Sequence, residues 1–237
     1  MFISFEGIDG SGKSLQVNLL AKALVSCAFD VYLTKEPGDA ALGSNIGAGV
    51  RELLFKNPGT KNIGPGVADL LFMADHLQNT YDIQKALDED KIVVTDRYAD
   101  SQFAYAEAKT RKATGWANDL YRERYGPVPD LTFLFVLRGP MTRIGSKGCP
   151  SGGGTINVED ISWALARANN RHGAEEKKQE GKTWNDVEEQ RKIQNAYIKQ
   201  IGSESRTHII NVWEETTPME LHVKIMEIVL AELNKNA

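Results

Sequence analysis

Cysteine is scarce. The two in 237 residues, Cys27 and Cys149, lie far apart and in no C-x-x-C or Cys/His spacing. That excludes a disulfide framework and a structural zinc site and points to a reducing cytoplasm. Long apolar runs are also missing. The longest, Leu131 to Leu137, is far too short to span a bilayer, and no basic leader with a small-residue cleavage site precedes the apolar opening MFISF. The chain therefore reads as neither exported nor membrane-spanning. An excess of positive charge is absent too: 28 Lys+Arg against 32 Asp+Glu give a net charge of −4. This removes the global field that binders of long nucleic acid rely on, so any anion must be held by a local site. No internal repeat occurs, which excludes solenoids and propellers. What is present suffices for a core: 41% of residues are hydrophobic, and the length suits one α/β domain over 1–237.

Five short stretches rich in β-branched and aromatic residues read as strands: Met1 to Phe5, Val31 to Thr34, Ile92 to Thr95, Thr132 to Leu137 and His208 to Val212. Helical patterns separate them, at Leu15 to Val25, Ala68 to Leu87 and Pro218 to Leu233. Strands alternating with helices predict a buried parallel sheet covered on both faces. Two regions break the rhythm. The stretch around GSKGCPSGGGT, 139–158, is dense in turn formers and reads as an exposed loop or insertion. Arg167 to Lys192 interleaves acidic and basic residues, the pattern of a solvated helical face.

Directly after the first strand stands Gly7-Ile8-Asp9-Gly10-Ser11-Gly12-Lys13-Ser14, which matches G-x-x-x-x-G-K-[ST] and leads into the run LQVNLLAKAL. Such a loop turns successive backbone N–H groups around phosphate oxygens, which needs glycine, and the following helix adds its dipole. Lys13 supplies a full positive charge to the β and γ phosphates of ATP, and the Ser14 hydroxyl can ligate Mg²⁺. Gly7, Asp9, Gly10, Ser11, Gly12, Lys13 and Ser14 are thus the expected ATP-binding residues. Farther on, the strand Ile92-Val93-Val94-Thr95 ends in Asp96-Arg97-Tyr98. Asp96 is placed to hold Mg²⁺ at a strand's C-terminal end, and Arg97 offers a planar fork for phosphate oxygens.

At these residues the sequence resembles the thymidylate kinase family of P-loop nucleoside monophosphate kinases. The match runs in order through FEGIDGSGKS, TKEPG at Thr34 to Gly38, LLFMAD at Leu70 to Asp75, DRYADS at Asp96 to Ser101 with Ala104-Tyr105, and PDLTFLFVL at Pro129 to Leu137. The resemblance implies a P-loop NTPase fold with a five-stranded parallel sheet flanked by helices, a mobile lid, a homodimer, and transfer of the ATP γ-phosphoryl group to dTMP. A monophosphate is already a nucleophile near neutral pH, so catalysis reduces to aligning two anions among cations.

Carried over residue by residue, the resemblance places Arg97 and Arg51 on the acceptor phosphate. It puts Asp9, Glu36 and Pro37 on the sugar and phosphate side, Phe72 in a stack on the thymine, and Tyr105 against the sugar, with Ser101 beside it. The family also needs an arginine over the transferring group. The loop supplies none, so the lid at 165–190 is expected to provide it through Arg171 or Arg167, worth about 3–5 kcal/mol. His76 stands where the family usually has an arginine that reads the thymine carbonyl, and Asp39-Ala40 replaces the usual Gly-Thr. These departures suggest a divergent, viral member with a widened pyrimidine preference. A broader deoxynucleoside monophosphate kinase and a deoxynucleoside kinase are the alternatives, the latter disfavoured by two arginines aimed at an acceptor phosphate. A GTP-dependent switch would need an N/T-K-x-D segment, which has no suitable counterpart here.

Overall fold

The computed structural model describes residues 1–42, 44–56, 63–108, 126–145, 155–171 and 187–235, with the backbone path alone at 65, 141–145, 155–159 and 167–171. Along the chain run β1 (Phe2–Gly7), α1 (Lys13–Ser26), β2 (Val31–Lys35), α2 (Asn45–Arg51), α3 (Pro65–Asp88), β3 (Ile92–Asp96), α4 (Ala99–Ala108) and β4 (Leu131–Leu137). Then follow β5 (Met141–Gly145), β6 (Thr155–Glu159), α5 (Ser162–Arg171), α6 (Val187–Ile201), β7 (Thr207–Val212) and α7 (Pro218–Lys235). The five expected strands form one parallel sheet in the order β2-β3-β1-β4-β7, which is the P-loop NTPase arrangement anticipated for this chain.

Burial explains the strand composition. β1 and β4 are buried along their whole length, and a strand covered on both faces reads as a continuous apolar run. Alternation sorts the side chains between the faces. Ile3 and Phe5 enter the larger core with Val17, Leu20 and Leu24 of α1, whereas Phe2 enters a second cluster with Ile83 and Ala86 of α3. Phe5 meets Phe133 at a ring-centroid distance of 5.1 Å and Phe135 at 5.9 Å. Each such ring contributes about 1.5–3 kcal/mol when fully buried.

Register brings the motifs to one edge. Phe5 pairs with Asp96, Lys35 also pairs with Asp96, and Gly7 pairs with Phe135. The loop after β1, the Glu36 segment after β2 and the Arg97 turn after β3 therefore share the C-terminal edge of the sheet. The chain crosses there from one side of β1 to the other, the usual place for a ligand crevice in such folds.

The stretch read as a loop or insertion is more ordered than its turn formers suggested. β5 and β6 pair antiparallel, with Arg143 opposite Asn157. The period-two alternation of Thr155-Ile156-Asn157-Val158-Glu159 carries this strand signal. Residues 146–154 lie outside the described residues, as do 172–186 of the expected lid. No helix among the described residues is long and apolar enough to cross a membrane.

Candidate functional site

The phosphate loop is built around backbone conformations that side chains disfavour. Gly7 sits at φ 133° with its α-carbon facing β4, where a Cβ would lie 2.5 Å from the Phe135 carbonyl oxygen. Gly10, at φ 79°, is closed from above: a Cβ would fall 2.2 Å from the carbonyl oxygen of Ala164. Helix α5 thus starts directly against the loop. Lys13 opens α1, is only 5% exposed, and donates from Nζ to the Ile8 carbonyl at 2.8 Å. Burial, reinforced by Arg97, lowers its pKa to about 8.

One residue on, the Ser14 hydroxyl donates to Asp96 Oδ2 at 2.5 Å. A hydroxyl and a carboxylate side by side are oxygen donors suited to a hard divalent cation. No cluster of three or more His, Cys, Asp or Glu able to hold a metal occurs among the described residues. A cation here would have to share its coordination with phosphate oxygens and water, as Mg²⁺ does at nucleotide sites.

Arg97 is the most heavily constrained side chain of the edge. Its backbone adopts φ 74°, left-handed for a residue with a Cβ, and is pinned by its N–H donating to the Phe5 carbonyl at 2.9 Å. Nη2 pairs with Asp9 Oδ1 at 2.6 Å, Nη1 donates to the Tyr197 hydroxyl at 3.0 Å and to Ser101 Oγ at 3.3 Å, and the guanidinium carbon stands 5.2 Å from the Tyr105 ring centroid. Asp9, Arg97, Ser101 and Tyr105 are therefore brought together.

Two residues of this network were not singled out from the sequence. Glu6 is fully buried at the end of β1 and accepts the Tyr98 N–H at 2.8 Å and the Ser101 hydroxyl at 2.5 Å. Burial, then the nearby Asp100 carboxylate, push its pKa up to about 8. The signal was available, since a carboxylate inside an apolar strand is rarely idle. Tyr197 gave no such signal: Ile193, Ala196, Tyr197 and Ile201 read as an ordinary apolar stripe.

A second polar cluster lines the edge between β2 and α3. Glu36, joined to Pro37 by a cis peptide bond, turns into the protein, where its Oε1 meets His76 Nδ1 at 2.9 Å and accepts Asn79 Nδ2 at 2.9 Å. Asp75 accepts the Gly38 N–H at 2.9 Å. Burial, then the Glu36 carboxylate, raise the Asp75 pKa to about 6. Burial alone would lower the His76 pKa, but Glu36 and Asp75 outweigh it and raise it. Arg51 donates from Nε to the carbonyls of Pro37 at 3.0 Å and Gly38 at 2.9 Å. It stands where α2 gives way to a π-helical turn at Glu52–Lys56. Half-buried Phe72 faces Phe55 across 6.4 Å, four residues before His76 on the same side of α3. Arg51, Glu36, Pro37, Phe72 and His76 thus flank the crevice on the side away from the phosphate loop. The backbone of Arg167 and Arg171 belongs to α5, but their side chains lie outside the described residues.

Known proteins resemble this chain in sequence and in fold. The family model for thymidylate kinase matches residues 5–149. A thymidylate kinase from Exiguobacterium sp. is 36% identical over 166 residues, covering 62% of this chain and 73% of that relative. One from Ruegeria pomeroyi is 32% identical over 179 residues, covering 75% and 72%. The alignment with the thymidylate kinase of Thermomicrobium roseum, 38% identical over 134 residues, spans 61% of that relative. Among solved structures, the thymidylate kinase of Ehrlichia chaffeensis superposes with a TM-score of 0.65 at 24% identity, covering 97% of this chain and 98% of that one. That of Candida albicans, whose structure is described as revealing the origin of broad substrate specificity, gives 0.67 at 23% identity, covering 99% and 92%. These two agree with the present chain in fold.

Proposed function

Because the chain belongs to the thymidylate kinase family, we propose that it transfers the γ-phosphoryl group of ATP to dTMP, giving ADP and dTDP. The carrying observation is that two cations meet the phosphate loop at one sheet edge, Lys13 bound to the Ile8 carbonyl from within it and Arg97 of the β3 turn paired with its Asp9. One cation suits the donor and the other the acceptor.

In this reading the loop amides and Lys13 hold the β and γ phosphates, with Lys13 leaving the Ile8 carbonyl for the anion. Arg97 and Arg51 hold the dTMP phosphate, one of whose oxygens attacks the γ-phosphorus as the bond to the β-bridging oxygen breaks. Phe72 stacks on the base and Tyr105 packs on the sugar. Mg²⁺, held through Ser14 and Asp96, supplies charge neutralisation when bound. No strong base is needed, so the protein's contribution is alignment and positive charge. The exposed, unpaired Cys27 suits a reducing compartment such as the cytoplasm.

His76 supports relaxed selectivity for the pyrimidine. Its Nδ1 is engaged by Glu36 and the ring is buried, so it cannot replace the two-pronged reading of a carbonyl that an arginine provides. In a steady-state panel of deoxynucleoside monophosphates with ATP, dTMP should be the preferred acceptor and dUMP detectably active. Exclusive use of dGMP or dAMP would overturn the reading.

Helix α3 supports a homodimer. Val67, Leu70, Leu77 and Tyr81 are exposed on it and, with Ala74 between them, recur at alternating spacings of three and four. That is the seam pattern of helices packed against one another. Sedimentation should give twice the 26.2 kDa chain mass, and Leu70→Glu should yield monomer; a wild-type monomer at all concentrations would exclude the dimer.

A further inference from the structure

The Arg97 guanidinium is held from two sides that differ in kind. On one side Asp9 belongs to the phosphate loop and is about half exposed, so its grip can change as ligands arrive. On the other, Nη1 donates to Tyr197, whose side chain is wholly buried and reaches the turn from α6, a hundred residues farther along the chain.

The Tyr197 hydroxyl is itself fixed. It shares a hydrogen bond of 2.6 Å with Ser101 Oγ, and Ser101 in turn donates to Glu6 Oε2 at 2.5 Å. The other Glu6 oxygen accepts the N–H of Tyr98, the residue after Arg97. Proton order along this chain follows from donor counting. With Glu6 ionised, Ser101 donates to it and accepts from Tyr197; with Glu6 protonated, Ser101 accepts from it and donates to Tyr197; in both orders the Tyr197 oxygen keeps a lone pair for Arg97. Glu6 thus holds the backbone just past Arg97 directly and the tip of its side chain through two hydroxyls. The positive φ of Arg97 makes such holding necessary, because this turn does not form from local preference alone.

We propose that Tyr197 is a positioning residue for the acceptor: its hydroxyl, oriented through Ser101 by Glu6, aims the Arg97 guanidinium at the acceptor phosphate. The inference rests on the reading of Arg97 as an acceptor-phosphate arginine. It makes α6, the helix that follows residues 172–186, a structural partner of the acceptor side. A hydroxyl with a purely structural role would affect folding and both substrates alike; a positioning hydroxyl affects the acceptor.

The test is steady-state kinetics on the full chain with ATP and dTMP for wild type, Tyr197→Phe, Arg97→Ala and the double variant. Tyr197→Phe should raise KM for dTMP about tenfold, the worth of one hydrogen bond to a charged group, and leave KM for ATP within about twofold. Added to Arg97→Ala it should change nothing further, since the group it aims is gone. Ser101→Ala, which cuts the link to Glu6, should move KM for dTMP in the same direction by about threefold. If Arg97→Ala raises KM for dTMP while Tyr197→Phe does not, or if the Tyr197→Phe penalty persists when combined with Arg97→Ala, the positioning role is wrong and the Arg97 reading stands. An equal rise in both KM values also overturns it. If Arg97→Ala leaves KM for dTMP unchanged, the reading of Arg97 fails and the inference falls with it.

Discussion

Lys13→Ala is expected to lower kcat with dTMP about a thousandfold while leaving the protein folded and no less heat-stable at pH 7. Lys13 is the only lysine or arginine within the loop motif, and the γ-phosphoryl group gathers negative charge on its oxygens as it transfers. The loop amides remain in the variant, so nucleotide still binds; the mobile full charge does not. Stability moves the other way because Lys13 is buried against a carbonyl, with Arg97 nearby, in the free protein. Its folded pKa, about 8, lies below the ordinary lysine value of 10.5. The folded state therefore bears a cost below pH 8 that is relieved as pH rises from 8 toward 10.5, where the unfolded chain still binds the proton. Removing the amine removes that cost. The same shift gives a signature in binding: near pH 8 about half of Lys13 is neutral, and ATP should draw a proton onto it, about half a proton per site. Calorimetry in two buffers of different ionisation enthalpy measures this uptake, which Lys13→Ala should abolish. An unchanged kcat would remove Lys13 from the mechanism proposed, and a variant that unfolds at about 25 °C would overturn the stability argument.

The residues legible in the sequence are those whose chemistry is local. The phosphate loop could be read because glycine spacing, the lysine and the flanking strand and helix are contiguous over fewer than thirty residues. The five sheet strands were legible within a residue or two: β1 and β4 because burial on both faces leaves continuous apolar runs, and the partly exposed edge strands β2 and β7 because they are rich in β-branched residues. The β5–β6 hairpin was obscured, since the glycine-rich run between its strands outweighs two five-residue segments. Tyr197 was invisible for a different reason. A tyrosine at a helical core position looks the same whether its hydroxyl meets water or a buried guanidinium, and only the packing of α6 beside α4 decides it. His76 lies between these cases: its departure from an expected arginine is plain in sequence, but its engagement by Glu36 needed the fold.

Arg97→Ala is expected to reduce kcat/KM for dTMP about a thousandfold, most of it in KM, with KM for ATP within about twofold. The size follows from burial. In water an arginine and a phosphate attract weakly, but this guanidinium is largely withdrawn from solvent and already aligned by Asp9, Tyr197 and Ser101, so little is lost to ordering when the anion arrives. Arg97→Lys should recover only a small part, about tenfold. An ammonium on a flexible stem cannot reach Asp9 and Tyr197 from opposite ends while also presenting a fork to two phosphate oxygens. Substitution should cost little stability through Asp9, which is half exposed and open to solvation in the absence of Arg97. A positive φ at position 97 is as unfavourable for alanine or lysine as for arginine, and the backbone holds from Phe5 and Glu6 remain in both variants. The turn should therefore keep its shape, and the kinetic loss can be assigned to the missing fork. If Arg97→Lys were nearly as active as wild type, charge alone would account for acceptor binding, and the geometry built around this side chain would have no catalytic consequence.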